Sequence, residues 1–405
     1  MATAIRPNDR SEFEVAIICA LPREYNAFAR LFDQVWDEDD DSLGRADSDP
    51  NYYTIGSVGR HAVVLFVLPG MGTNNAAAAV ASLRSSFGGI KLALLVGICG
   101  GIPKINGVET MLGDVVISKN IVQYDYGRLY PGHFEVRNTV VDSLSKGTTG
   151  IRSLIATLET ELAREKLQDK AVVHLRRLQQ PKKARRQQGA NYKYPGIDKD
   201  KLFPPEYLHI HRSKCQLCGT TPPGHCHSAA KASCADLECN DSHLVQREGL
   251  LGDEEFTPAI FVGGIGSGNA VMRSGEDRDR FAAQHELIAF EMEGAGAWEQ
   301  LPCLVIKGVC DYADSHKNKE WQDFAAATAA SVARAVLERY AGNDKPKGRE
   351  GGNNENDGSN GGPSSPSSNG GGGGNANVGN NSRNVSHNTF GNNGRIVQGD
   401  ITYGR

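Results

Sequence analysis

The stretch Phe290–Ser315, FEMEGAGAWEQLPCLVIKGVCDYADS, constrains this chain more than any other. Glu291-Met292-Glu293 is followed by the small residues Gly294, Ala295, Gly296 and Ala297. The apolar run Leu304-Val305-Ile306 comes next and leads to Cys310-Asp311. That order reads as a strand end, a small-faced helix, a buried strand, and an acid where the strand stops. Open α/β sheets place ligands at the carboxyl ends of such strands. Taken alone, Glu-x-Glu at a helix start also serves as dipole compensation, and an Asp after a strand as a turn or cap.

Further strands share the pattern. Glu14–Cys19 (EVAIIC) and Leu92–Val96 are β-branched or apolar runs, as are Leu112–Ser118 and Ala259–Ile265. Tyr52–Val67 reads as a hairpin with Gly56 and Gly59 near its turn. Ala20-Leu21-Pro22-Arg23-Glu24 opens a helix, with Pro22 suited to the first turn. Helices are also predicted over Ala76–Phe87, residues 151–178, Asp277–Gln284 and Trp321–Tyr340. Leu68–Asn75 is a glycine-rich strand-to-helix loop, more a structural turn than a phosphate cradle, and the glycines of Gly97–Ile102 let backbone approach a ligand. Tyr124-Asp125 follows the Leu112–Ser118 strand, either lining a sugar pocket or folding a loop.

Bulk properties exclude several classes. The chain has 405 residues, 23% charged, with a net charge of −4, so nucleic acid is not an expected partner. No apolar run reaches the roughly 18 residues of a membrane span. The N-terminus lacks an apolar signal core. Nine cysteines, mostly unclustered, do not form a secreted disulfide framework. A cytoplasmic protein is expected.

The organising stretch resembles the ribose-and-base segment of the purine nucleoside phosphorylase and nucleosidase superfamily, E-M-E-G/A-A followed by a strand ending in S/C-D. Leu112-Gly113-Asp114-Val115-Val116-Ile117-Ser118 is similar to that family's G-D-V-V-x-S strand. The resemblance runs over about residues 13–340. It is nearest to the effector-domain branch associated with fungal immune receptors, on the segment CDYADSHKNKEWQDFAAATAA. It implies a three-layer α/β/α sandwich around a mixed central sheet of nucleoside phosphorylase type, with an inserted Cys-rich loop and a disordered C-terminal tail. It also implies residue roles: Asp311 and Glu24 catalytic, Glu293 and Met292 at the ribose, and Val271, Met272 and Asn269 at the base. Phosphorolytic relatives carry an Arg and a Ser that grip phosphate, where this chain has Leu95 and Ile98. Neither side chain can bind an oxyanion. Water is therefore the expected nucleophile, although the Ser that nucleosidases use near that water is missing too. The implied activity is hydrolytic release of adenine from adenine nucleotides, ATP favoured, or from nucleosides. His316, Lys317 and Lys319 are candidate phosphate contacts. No cofactor is expected for catalysis, and a homo-oligomer is. A phosphate-dependent phosphorylase and a non-catalytic purine-sensing module are the alternatives.

The chain divides into residues 1–12, expected to be disordered, and a domain at 13–341 with an insertion at 187–257. A Gly/Asn/Ser linker at 342–380 and a terminal segment at 381–405 complete it. The insertion holds five of the nine cysteines. Cys215, Cys218, Cys234 and Cys239 make either a structural zinc site, with His225, His227 and His243 as spare ligands, or free thiols in a mobile loop. The basic run Lys182–Arg186 is a solvated loop or a nuclear import signal. Val385–Tyr403 resembles short amyloid signalling motifs, through which a receptor-like partner would be met; the other reading is a disordered tail.

Overall fold

The computed structural model describes residues 4–36, 43–131, 133–137, 149–180, 189–212, 215–220, 226–247, 256–317 and 319–340. These all fall in one unit, Met1–Lys345. The linker, the amyloid-like segment, the basic run at 182–186 and His225 lie outside the described residues.

Among the described residues, thirteen strands are interspersed with seven helices. In chain order the strands are β1 (Val15–Cys19), β2 (Gln34–Val35), β3 (Thr54–Val58), β4 (His61–Val67), β5 (Leu92–Gly101), β6 (Lys104–Ile105), β7 (Val108–Glu109), β8 (Val115–Gln123), β9 (Gly127–Tyr130), β10 (His133–Val136), β11 (Ile260–Ser267), β12 (Leu287–Glu291) and β13 (Cys303–Asp311). The helices are α1 (Pro22–Ala29), α2 (Thr73–Ser86), α3 (Thr149–Leu158), α4 (Glu161–Gln179), α5 (Gly275–His285), α6 (Gly294–Gln300) and α7 (Gln322–Arg339). Nine strands form one mixed sheet in the order β12-β11-β8-β13-β5-β1-β4-β3-β2. This is the mixed α/β fold expected from the sequence.

The β-branched runs lie at the sheet centre for a physical reason. β1, β5 and β13 are buried along nearly their whole length, so each must be apolar on both faces. β1 runs parallel to β4 and β5, and β5 parallel to β13. Their carboxyl ends therefore emerge together. The sheet also curls on itself: β12 pairs antiparallel with β5 through Ala289–Gly101 and Phe290–Gly100, which joins β12, β11, β8, β13 and β5 into a closed ring. That closure brings the Glu291 end of β12 beside the Asp311 end of β13.

Helix α7 is buried on every side from Phe324 to Leu337, which its sequence allows because alanine dominates. It packs on β13 and β5 and against α1 and α4. Residues 4–12, read as disordered from sequence, are in place on the domain. Arg10–Glu12 forms a single 3-10 turn capped by Asp9, and Ala4 N donates to Gly59 O. The buried Phe13 holds this segment down, packing edge-on to Trp36 and Phe87. Among the described residues no helix is long and apolar enough to cross a membrane.

Candidate active site

A cavity of about 1040 Å³ opens where these strand ends meet. Its lining includes Glu24, Met292, Glu293 and Asp311. That volume lies at the upper end of small-molecule pockets.

Glu24 is fixed by the junction of β1 and α1. It occupies the third position of the helix, behind Pro22. Its Oε2 accepts from Ala20 N at 2.8 Å and Leu21 N at 2.9 Å, and its Oε1 accepts from Ile98 N at 2.9 Å. A carboxylate has about four lone-pair sites. Three are filled by backbone, which leaves one on Oε1 for the cavity. Burial raises the Glu24 pKa, with Lys307 opposing and Glu293 adding to the rise. Gly97 is required here, because a Cβ on it would lie 2.4 Å from Glu24 Oε1. The glycines of Gly97–Gly101 belong to β5 rather than to a loop. Gly100 makes the corresponding room for Asp311, whose Oδ1 would be 2.8 Å from its Cβ.

Glu293 caps the start of α6. Its Oε1 accepts from Gly72 N at 3.3 Å, and its Oε2 pairs with Lys307 Nζ at 3.1 Å. Lys307 also reaches Glu291 at 3.4 Å. This lysine is fully buried in the middle of β13, and sequence reading missed it because a Lys inside an apolar strand carries no pattern of its own. Burial alone would deprotonate it; the charges of Glu293, Glu291 and Glu24 prevail and raise its pKa. Glu291, whose pKa burial raises, accepts the backbone N–H groups of Glu293 and Gly294, and so shapes the turn that aims Glu293.

Asp311 ends β13. Its Oδ1 accepts from Ala313 N at 2.9 Å, and Lys317 Nζ lies 2.9 Å away. Lys317, expected at a phosphate, lines the cavity and partners the acid. Burial disfavours its ammonium, but Asp311's charge raises its pKa. His316, the second expected phosphate contact, lines the cavity and is stacked on Phe203 at 4.2 Å. Lys319 lines the cavity.

Of the expected base contacts, Val271 and Met272 line the cavity. Asn269 is turned to structure: Oδ1 accepts from Thr73 N and Oγ at 3.0 Å, and Nδ2 donates to Asp125 at 3.1 Å. It ties β11 to the start of α2. Tyr124 and Asp125 divide the two readings of their pair. Tyr124 lines the cavity with its hydroxyl donating to Ala270 O at 2.6 Å, and Asp125 folds the loop. Phe290, Arg273, Lys231 and the insertion segment Ala230–Ala235 also line the cavity and were not legible in sequence.

The structure does not gather the four expected thiols. Cys215 and Cys218 cluster with His211 and Cys226, whereas Cys239 clusters with His209 and His316. Cys234 Sγ lies 3.7 Å from His209 Nδ1. Spacing along the chain paired cysteines that the fold separates. His243 stacks on Tyr207 at 4.5 Å.

Residues 14–179, from β1 through α4, match the Phosphorylase superfamily model. Over these residues the chain is similar to that superfamily. The chain is 32% identical over 338 residues to a nucleotide-binding leucine-rich repeat (NLR)-like protein of Hyaloscypha variabilis. The match covers 80% of this chain and 29% of that protein, so the chain spans under a third of its relative. Among solved structures, futalosine hydrolase of Helicobacter pylori aligns at 14% identity over 81% of this chain and 98% of that one, with a TM-score of 0.47. The 5′-methylthioadenosine/S-adenosylhomocysteine nucleosidase of S. pneumoniae aligns at 16% over 80% and 99%, with a TM-score of 0.46.

Proposed function

We propose that the domain is a purine N-ribosyl hydrolase that cleaves the N-glycosidic bond of adenine nucleotides, ATP favoured, or of nucleosides. Adenine is released, and the protein serves as an immune or cell-death effector. One observation carries the reading: the single open lone pair of Glu24 Oε1 shares a cavity with Glu293 and Asp311, next to apolar Ile98.

The chemistry divides among these groups. A purine anion leaves poorly, so Asp311 gives a proton to N7 as the glycosidic bond breaks. The Lys317 ammonium then faces the carboxylate left behind. Glu293 accepts the ribose 2′- and 3′-hydroxyls, a charge-assisted contact that strengthens as the sugar gains oxocarbenium character. Lys307 beneath pairs with Glu293 and holds it in place. Met292 packs on the ribose. Glu24 takes a proton from water, whose oxygen bonds C1′. A raised carboxyl pKa makes Glu24 a stronger base.

Leu95 is fully buried and Ile98 is apolar, so nothing at their positions binds an attacking phosphate. For a triphosphate, Lys319, Lys231 and Arg273 supply cations around the cavity. Likeness to an NLR-like protein supports a receptor-type partner. Cytoplasmic location rests on the cysteine usage, and assembly as a dimer or larger on the superfamily resemblance.

Chromatography of a nucleotide panel, with and without phosphate, tests the reading. Free adenine in phosphate-free buffer is expected, with ATP the best substrate. Product formed only when phosphate is added would mean a phosphorylase, and no turnover by folded protein would mean a purine-binding module.

A further inference from the structure

The insertion buries little apolar surface of its own. Its core is Cys218, Cys226, Ala229 and Leu237, so half of it is thiol. Among its described residues, regular structure is limited to short 3-10 turns. Such a segment needs a staple to hold one shape. None of its five cysteines is in a disulfide.

The thiols and imidazoles form two sets with metal-site dimensions. In a tetrahedral zinc site, Zn–S near 2.3 Å and Zn–N near 2.0–2.1 Å fix a nitrogen-to-sulfur edge of about 3.6 Å. His211 Nδ1 lies 3.4 Å from Cys218 Sγ and 3.6 Å from Cys226 Sγ, and Cys215 completes that set. His209 Nδ1 lies 3.7 Å from Cys234 Sγ and 3.6 Å from Cys239 Sγ. His316 groups with His209 and Cys239, and His209 Nδ1 ties Cys234 to that group.

Two further observations point to a ligand. His209 Nε2 is 3.0 Å from Ala232 O. A carbonyl can only accept, so Nε2 carries the proton and Nδ1 presents a lone pair to the two sulfurs. Metal-bound histidines are oriented in the same manner. His316 Nε2 is buried without a hydrogen-bond partner, while its Nδ1 faces Asp314 at 3.9 Å and Ser315 at 3.5 Å. Its side chain is only 4% exposed. A buried nitrogen without a partner is costly in this position, and a metal ion would satisfy it.

We propose that the insertion is a two-zinc module. One ion is held by His211, Cys215, Cys218 and Cys226, the other by His209, Cys234, Cys239 and His316. Binding displaces five thiol protons. The second set, with two thiolates, neutralises its ion in full, which suits its burial. Because His316 follows Asp311 by one short loop, the second ion pins the segment that carries Lys317 onto the insertion. Two protein contacts already hold that segment there: Ser315 Oγ accepts from His209 N at 3.0 Å, and Tyr312 bonds Asp200 and Arg247.

Native mass spectrometry of the full chain, purified under reducing conditions with zinc, tests the module. Two zinc ions per chain are expected, falling to one in Cys218→Ser and to one in Cys239→Ser. Hydrogen exchange at residues 312–317 should quicken on the order of tenfold or more in Cys239→Ser and stay unchanged in Cys218→Ser. Cys239→Ser leaves the Asp311 segment unaltered and so reports on the ion. If a variant does not fold, X-ray absorption on the unaltered protein decides, with five sulfur and three nitrogen neighbours expected over two ions. One zinc or none per chain, iron, disulfides in place of metal, or exchange at 312–317 unaffected by Cys239→Ser would overturn the proposal.

Discussion

Replacing Lys307 with methionine should be the most damaging single change to this domain. The lysine is fully buried, 3.1 Å from Glu293 and 3.4 Å from Glu291. At an effective dielectric near 20, each of those contacts is worth about 5 kcal/mol of attraction. Desolvating the ammonium takes back several kcal/mol. Lys307→Met removes the cation but keeps the carboxylates buried, and breaking such a set costs about 3–5 kcal/mol. That is a large share of a typical 5–15 kcal/mol total. The sign of the pH dependence follows. Glu291 and Glu24 already have raised pKa values through burial, and losing Lys307 raises them further. A carboxyl raised in the folded state binds more protons there than in the unfolded chain, so the variant loses stability as pH rises above about 4.3. Urea denaturation at pH 5 and pH 8 should show the gap to wild type widening with pH. A variant within about 1 kcal/mol of wild type at both values would refute the reasoning.

Other substitutions test the site from different sides. Gly97→Ala places a Cβ 2.4 Å from Glu24 Oε1 and should cost about 1–3 kcal/mol while displacing the base, read as a drop in both Tm and kcat. Glu24→Gln should lower kcat by about 10²–10⁴. It should also abolish the acid limb of the kcat/KM profile, which in wild type lies above the ordinary carboxylate range near 4.3 because burial raises Glu24. Asp114, which burial pushes up to about 7, should penalise folding increasingly from about pH 4 to pH 7. Asp114→Asn should therefore compare better with wild type at pH 8 than at pH 5 in chemical denaturation. It still loses one of the two acceptors that hold Met111 N and Ala259 N.

What the sequence revealed follows from what periodicity can encode. Continuous apolar runs marked β1, β5 and β13, because strands covered on both faces must be apolar throughout, and shorter runs marked the starts of β8 and β11. Glu24, Glu293 and Asp311 stood out because each sits where an apolar run stops. Lys307 could not be found this way: it is a polar residue inside such a run, explained only by carboxylates that arrive from other elements. The pairing of Lys317 with Asp311 was not legible, because Asp311 lies across a tight loop rather than at helical spacing. The zinc quartet was misgrouped for a related reason. Sequence neighbours Cys234 and Cys239 were joined to Cys215 and Cys218, although the imidazoles of His209, His211 and His316 divide them. Asn269 looked available for a base, yet Thr73 and Asp125 occupy its amide.

The proposed chemistry needs one bond and three acids around one cavity. The most direct test is the rate of adenine release from ATP in phosphate-free buffer, by wild-type protein and by Asp311→Asn. Adenine is expected from the wild type, and a loss of about 10²–10⁴ from the variant. Equal rates from the two proteins, or no adenine from a folded wild type given ATP or adenosine, would contradict it.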